Sequence, residues 1–356
     1  MLSESKTTMQ EKKRNYEFID AIRCITMMFI VCEHCIAAGG YRYRYDSNLY
    51  WTFLASMQVA KFATITFFLL AGFLLGENFS TYSPFEYLWR RLQNTVGPWV
   101  FWSLLFVVFD IIRVFLIPPI GHSGAFTLHN ILINIKGLYT YSAYWFIINF
   151  MISISLLLLF RKYLYSLYFG AILGLCTIFY SVNIYYLWIF PNHTTAILGF
   201  VFFLWLGVQL RKHWGKIKKI REMIPFYVLL GLLIGTYAIA IYESTILEDV
   251  GGDPTNTLRF SNILYSLIVF ALLLKINTFN FTRSLKPKET TYGIYLIHFI
   301  LVVFLLPNIF TKIEVTHLSV LQFLGYRLTW FFITYTLTFF IVTGLNKTRA
   351  KALIGN

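Results

Sequence analysis

The chain is poor in charged side chains. Only 13% of its 356 residues are Asp, Glu, Lys or Arg, whereas 58% are hydrophobic. Soluble domains carry about a quarter charged residues, so this composition excludes an ordinary water-soluble protein. The chain has instead a large aromatic content, with 36 Phe, 24 Tyr and 9 Trp. Aromatic side chains in such numbers are typical of helices that face lipid and form belts at the membrane surfaces.

Cysteine is also scarce. Three of the four cysteines, Cys24, Cys32 and Cys35, fall in the first apolar segment, and Cys176 lies in another. Their spacing matches no metal motif with His partners, so we expect buried free thiols and no metal site. The sequence also lacks a Gly-x-Ser-x-Gly elbow, a Walker sequence and a dinucleotide fingerprint, so none of the corresponding chemistries is indicated.

Long apolar segments dominate what is present. A segment of about 20 apolar residues is long enough to cross a bilayer as a helix. Ten segments of about this length cover residues 17–38, 53–76, 95–117, 143–160, 164–182, 195–211, 224–242, 260–276, 290–307 and 320–345. We therefore predict an all-α integral membrane protein, a bundle of about ten transmembrane helices. Residues 1–356 form a single membrane domain in this prediction, with tails at 1–16 and 346–356, and a long loop connects the third and fourth segments near 118–142.

Lysine and arginine are distributed unevenly over the loops. Loops on the side of the N-terminus hold 21 of these residues, and the opposite loops hold five. Because basic loops stay in the cytoplasm, both termini are predicted to be cytoplasmic. This asymmetry accounts for most of the net charge of +14 without a nucleic-acid partner. The expected location is the cell membrane, either plasma or inner, which the chain crosses several times.

The first apolar segment carries four ionisable side chains, Asp20, Arg23, Glu33 and His34. Such groups are costly in hydrocarbon and usually face a protein interior or a water-filled cavity. Arg23 and His34 are eleven residues apart, so on a helix they share one face at a separation of roughly 16 Å along the axis. Asp20 is within ion-pairing reach of Arg23. A structural ion pair with a buried packing histidine is the alternative interpretation.

This pattern, Asp-x-x-Arg followed by ten residues and a His, resembles the signature of acyltransferase family 3. Members of that family are multi-spanning membrane proteins that O-acylate cell-surface carbohydrates. Four weaker matches follow: Lys61 before Phe67-Phe68 and Ala71-Gly72, Arg90-Arg91 before Pro98-Trp99, Tyr144-Trp145-Phe146, and Gly293-Ile294-Tyr295 before His298. The chain departs from the family pattern at Ile65, Ala71, Asn94 and Ala143, where the family has Pro, Ser, Arg and His.

The resemblance implies an acyl-coenzyme A donor on the cytoplasmic side and a glycan hydroxyl as acceptor. In such a reaction His34 suits the general base, and Arg23 suits donor binding or stabilisation of the oxyanion. Arg90 and Arg91 are candidates, with Arg23, for binding the donor phosphates, although anchoring at the membrane surface would explain them as well. Candidates for the substrate path are Asp20, Glu33, Lys61, Trp145 and His298.

Several functional questions stay open at this level. The chain looks most like stand-alone members of the family, such as the O-acetyltransferase of enterobacterial common antigen. A related member transfers succinyl, so the acyl group is left open: acetyl is expected first, with succinyl or another acyl group as the alternatives. A transporter or exporter of a polysaccharide or small solute is the competing function, since charged residues within spans also suit a permeation path. The expected partners are membrane lipid, acyl-coenzyme A and a glycan, and a homo-oligomer is left open.

Overall fold

A computed structural model of the chain describes residues 17–39, 43–78, 83–116 and 127–356. The predicted tail 1–16 and the basic residue Arg42 lie outside these ranges. Within them the chain is helical and contains no strand. The α-helices of the described ranges are α1 (Glu17–Ala37), α2 (Asn48–Ala60), α3 (Ala63–Asn78), α4 (Pro84–Arg91), α5 (Gly97–Leu116), α6 (Leu128–Tyr141), α7 (Trp145–Leu159), α8 (Leu167–Tyr186), α9 (Ile197–Lys212), α10 (Trp214–Met223), α11 (Phe226–Asp249), α12 (Phe260–Ile276), α13 (Asn280–Ser284), α14 (Pro287–Ile300), α15 (Leu306–Ile309) and α16 (Val320–Asn346).

Each of the ten predicted apolar segments coincides with one of these helices or with consecutive ones. By length and apolar composition, six helical stretches of the described chain can cross a membrane, or seven if the bent pair α6 and α7 forms one span. The six are Asn48–Glu77, Pro84–Val114, Leu167–Tyr186, Phe226–Asp249, Pro287–Ile309 and Val320–Asn346. The three remaining segments are α1, which is rich in charge, and α9 and α12, which have 16 and 17 residues. The structure is therefore that of a multi-pass membrane protein.

The prediction of a long loop near 118–142 is wrong in its second half, because residues 128–141 form helix α6. The hydroxyl of Thr127 accepts the backbone N–H of Asn130, and this N-cap starts the helix. A bend of 61° separates α6 from α7. The hydroxyl of Ser142, at the bend, accepts the N–H of Tyr144. Ser142 is the C-cap residue of α6, so the bend lies where that helix ends and α7 begins.

The second apolar segment is interrupted at Lys61 and Phe62. Helix α2 ends at Ala60, and the N–H of Lys61 donates to the carbonyl oxygens of Met57 and Gln58. Helix α3 begins at Ala63. Lys61 therefore sits at a break between two helices, where its long side chain can reach a neighbouring helix.

Helices α3 and α9 pack closely because each has a glycine at the contact. A Cβ added to Gly72 would lie 1.9 Å from the carbonyl oxygen of Leu204, and one added to Gly207 would lie 2.2 Å from that of Leu69. Small residues allow membrane helices to approach at backbone distance. Beside this contact, the rings of Phe68 and Phe200 stack at 5.3 Å.

Helix α1 packs against α3, α14 and α16. Its apolar side chains are buried, including Ile22 and Val31 at 0% exposure. Among its polar side chains, Arg23 and Glu33 are largely buried, whereas Glu17 at the start of the helix is exposed. The fold thus surrounds the polar face of α1 with other helices.

Candidate active site

Helix α1 lines several cavities, and two of them contain the predicted residues Arg23 and His34. The first has a volume of about 340 Å³, and we call it the Arg23 cavity. Its basic lining residues are Arg23, Arg91 and Lys288. Along α1 it extends from Arg23 to Ile30, which is about 10 Å at 1.5 Å per residue. Beyond the basic end its lining is largely apolar or aromatic: Met27, Phe67, Leu70, Phe146, Ile147, Phe150 and Tyr295. The cavity therefore joins a cationic end to an apolar end.

The second cavity, the His34 cavity, has a volume of about 990 Å³. His34 and residues 37–39 contribute to it at the end of α1, and Arg113 and Asn308 add further polar groups. Its remaining wall is mostly apolar and includes Phe109, Phe299, Phe304, Leu301 and Val303. Residues 301–305 of this wall form a π-helical turn between α14 and α15. The two ends of the predicted α1 stripe thus line different cavities.

The two cavities approach each other closely. On α1 the Arg23 cavity ends at Ile30 and the His34 cavity begins at His34. On α14 the corresponding residues are Tyr295 and Phe299. Four residues of helix rise about 6 Å, so only one helical turn separates the cavities. We call this separation the one-turn layer.

His298 lies within the one-turn layer and has no solvent exposure. Its Nδ1 donates to the carbonyl oxygens of Tyr295 at 2.7 Å and Ile294 at 3.1 Å, which assigns the proton of a neutral ring to Nδ1. In the described chain its Nε2 has no hydrogen-bond partner. The ring centroid of His298 is 5.2 Å from that of His34. An imidazole with a free lone pair therefore faces the predicted base.

Asp20 bridges two cations at the opposite end of the stripe. Its carboxylate accepts a hydrogen bond from Arg23 at 3.1 Å, as the spacing predicts. It also forms an ion pair with Lys288 at 3.5 Å. Lys288 comes from the first turn of α14, far away in the sequence. It entered the sequence analysis only as one of the many basic residues that set orientation. Three cations, Arg23, Arg91 and Lys288, thus surround one end of the Arg23 cavity.

The structure separates the two arginines that were predicted to act together. Arg91 lines the Arg23 cavity, and its Nε donates to the hydroxyl of Tyr87 at 3.2 Å. Arg90 is half exposed, pairs with Glu86 at 3.0 Å and does not line that cavity. Arg91 is therefore the better placed of the two for contact with a ligand in the cavity.

Glu33 and Lys61 form a buried ion pair at 2.7 Å. The break between α2 and α3 gives Lys61 this reach. One turn before it, the side-chain oxygen of Gln58 accepts a hydrogen bond from Arg259 at 2.5 Å, and its amide donates one to Asn262 at 3.0 Å. Glu33 thus contacts Lys61 rather than orienting its neighbour His34.

Trp145 packs against a histidine that the sequence analysis did not single out. The indole of Trp145 stacks on the ring of His193 at 4.2 Å, and Nε2 of His193 lies 3.3 Å from the hydroxyl of Thr257. Burial lowers the pKa of His193 to about 4, and Lys61 acts in the same direction. His193 belongs to the loop between α8 and α9, and no local pattern links it to Trp145.

The described residues thus supply three kinds of chemistry. A cationic end suits an anionic ligand. A pair of imidazoles at the one-turn layer suits proton transfer. A large cavity beyond them admits a second molecule. Among the described residues, no group of three or more His, Cys, Asp or Glu could hold a metal ion.

Comparison with known protein families gives one clear result. The model of an acyltransferase domain, that of acyltransferase family 3, matches residues 16–347. The match includes the whole of α1 and every residue of the two cavity walls except the last two of the chain, Gly355 and Asn356. No curated protein and no solved structure matches the chain significantly.

Proposed function

The chain belongs to acyltransferase family 3, and on that premise we propose that it moves an acyl group from cytoplasmic acyl-coenzyme A to a hydroxyl of a cell-surface or exported glycan. The acyl group is acetyl in the simplest form of this proposal. The observation that carries it is the one-turn layer, because a donor in the Arg23 cavity and an acceptor in the His34 cavity would be about one turn, or 6 Å, apart.

The proposed orientation places the Arg23 cavity on the cytoplasmic side. Support comes from the 21 basic residues in loops on that side against five in the others. In this proposal all ten apolar segments cross the inner membrane of a bacterium, and both termini are cytoplasmic. The donor then enters from the compartment that contains coenzyme A, and the acceptor from the opposite side.

The proposed chemistry uses His34 as general base. The hydroxyl of the glycan loses its proton to His34, and its oxygen forms a bond to the thioester carbon. The carbon–sulfur bond breaks, and the proton finally joins the sulfur of coenzyme A. Arg23 holds the donor with the fixed positive charge of a guanidinium, which stays protonated throughout. General-base catalysis of this kind contributes roughly 10²–10⁴-fold.

The test uses membrane vesicles of both orientations and radiolabelled acetyl-coenzyme A. We expect label in the glycan fraction, and release of free thiol, only when the donor reaches the cytoplasmic face. His34→Ala should abolish both signals, and His213→Ala, at a helix end away from both cavities, should leave them unchanged. Equal labelling from both faces, or full activity of a folded His34→Ala variant, would contradict the proposal.

A transporter is the second candidate, because two cavities with a thin layer between them also suit alternating access. The same vesicles distinguish the two functions. A transporter moves a solute across the membrane without consuming acyl-coenzyme A, whereas an acyltransferase releases one thiol for each acyl group found on glycan.

A further inference from the structure

A third cavity adjoins the Arg23 cavity on its basic side. It also has a volume of about 340 Å³, and we call it the Phe279 cavity. Its walls come from the start of α1, from α13 and from the first turn of α14. Pro287 and Lys288 line both cavities. The pair of Lys288 with Asp20 therefore stands between the two spaces.

The Phe279 cavity contains residue types that can bind a nucleotide. The ring of Phe279 offers an aromatic surface, and Thr278 and Thr282 add hydroxyl groups. Arg283, Lys286 and Lys288 supply three positive charges, which equal in number the carboxylates of Glu17, Asp20 and Glu289. Arg283 pairs with Glu17 at 3.1 Å, so Lys286 and Lys288 are the cations proposed to meet phosphate. Aromatic rings stack on bases, and lysine and arginine bind phosphates. The Arg23 cavity beside it adds Arg23 and Arg91, so cations outnumber carboxylates over the two cavities together.

Size points in the same direction. Pockets for drug-sized ligands have volumes of about 300–1,000 Å³, and the Arg23 cavity is at the lower end of that range. Coenzyme A joins a 3′-phosphorylated adenosine, a diphosphate and a pantetheine arm, and is larger than such a ligand. The apolar end of the Arg23 cavity suits the arm and the thioester, and leaves the nucleotide to be placed elsewhere.

We propose that the Phe279 cavity is the subsite for the nucleotide of the donor, with the base against Phe279 and the phosphates at Lys288. When the donor binds, Lys288 leaves the carboxylate of Asp20 and pairs with a phosphate of the donor. This change of partner joins the two cavities. The Lys288–Asp20 distance is 3.5 Å, and the Arg23–Asp20 distance is 3.1 Å. Asp20 keeps Arg23 as its partner. The subsite rests on the proposed function.

The experiment measures binding of coenzyme A, adenosine 3′,5′-bisphosphate and pantetheine to the purified full-length protein. Phe279→Leu keeps an apolar side chain but removes the ring. It should weaken the binding of coenzyme A and of the bisphosphate about tenfold, which is the scale of one stacked base. Phe279→Trp should retain their affinity. Lys288→Gln should weaken both ligands by a similar factor, and pantetheine should bind all variants equally.

Two further variants separate specific loss from general damage. Asp20→Asn removes the competing carboxylate and should strengthen binding of the bisphosphate. Lys218→Gln removes a basic residue of α10 that lines neither cavity, and should change nothing. Unchanged affinity for coenzyme A in both Phe279→Leu and Lys288→Gln would overturn the subsite. Failure of the wild-type protein to bind coenzyme A or release thiol would instead contradict the proposed function itself.

Discussion

The imidazole rings of His34 and His298 lie 5.2 Å apart, one on α1 and the other on α14. His298 is held by two backbone carbonyls through Nδ1, so its unpartnered Nε2 is the nitrogen left for proton transfer in the described structure. His34 also lines the larger cavity, where an acceptor would enter. Under the proposed function the two rings have different tasks: His34 meets the acceptor, and His298 lies behind it.

Replacement of His34 is the sharpest test of catalysis. His34→Ala should lower acyl transfer at least 10²-fold, since a general base is lost, while the amount of folded protein stays near normal. Arg23→Lys keeps the positive charge but loses the planar guanidinium, so this variant should also lose acyl transfer. If the two groups serve one reaction, the double variant should be hardly worse than either single one. Rates of thiol release from purified variants give the comparison, and strictly multiplicative losses would argue against a shared role.

The two neighbouring arginines should behave differently. Arg91→Ala removes a cation from the Arg23 cavity and should raise the KM for acyl-coenzyme A about tenfold or more, the scale of a lost charged hydrogen bond, with little change in kcat. Arg90→Ala removes an exposed ion pair and should leave KM within about twofold, since surface pairs contribute little. Steady-state kinetics with varied donor concentration measures both. An equal rise in the two variants would mean that anchoring of α4, rather than direct contact, sets donor affinity.

The ion pair of Lys61 with Glu33 should matter for stability. Lys61→Met leaves a buried carboxylate without its cation and should cost about 3–5 kcal/mol in the free energy of unfolding. The double variant Lys61→Met/Glu33→Leu removes both charges and should recover most of that loss. Titration with denaturant in detergent micelles measures the free energy of unfolding of each variant. A double variant as unstable as the single one would show that Lys61 acts through packing alone.

Two glycine substitutions should act with opposite signs. Gly207→Ala would bring a methyl group within 2.2 Å of a backbone oxygen of α3, and overpacking of this kind costs about 1–3 kcal/mol. Gly231→Ala in α11 meets no atom within 4 Å and should stabilise the helix by about 0.5–1 kcal/mol. Melting temperatures of the two variants, recorded side by side, should shift in opposite directions. Equal shifts would mean that α3 and α9 have room to separate.

The proposed orientation predicts the location of the last residue. A reporter fused after Asn356 should be active if it functions in the cytoplasm and silent if it functions only outside. A fusion in the loop that contains Lys312, between α15 and α16, should give the reverse result. An active exterior reporter at the C-terminus would mean that the number of crossings is odd.

Local features of this chain could be predicted from the sequence. The apolar segments are helices because their length and composition leave no other stable form in lipid. The pairs Asp20–Arg23 and Asp110–Arg113 form because their partners are three residues apart on one helix. Buried free thiols were also expected: all four cysteines are free, but only Cys24 and Cys35 are fully buried.

The parts that could not be predicted depend on contacts between distant segments. Lys288 meets Asp20, His193 meets Trp145 and Lys61 meets Glu33 only after the bundle has formed. Periodicity shows which side of a helix is polar, but not which other helix that side will face. The break at Lys61 and the start of α6 depend on caps within single turns, which are hidden by the surrounding apolar residues.

The one-turn layer also has an electrical consequence. Under the proposed reaction an acyl group leaves a sulfur on the cytoplasmic side and joins an oxygen on the far side, where a proton is released. If that proton escaped outward, each turnover would displace one positive charge across the membrane field, worth about 2.3 kcal/mol per 100 mV. The facing rings of His34 and His298 instead offer a short return route to the thiolate. With that route no net charge crosses the membrane in the overall reaction, and its equilibrium is independent of the membrane potential.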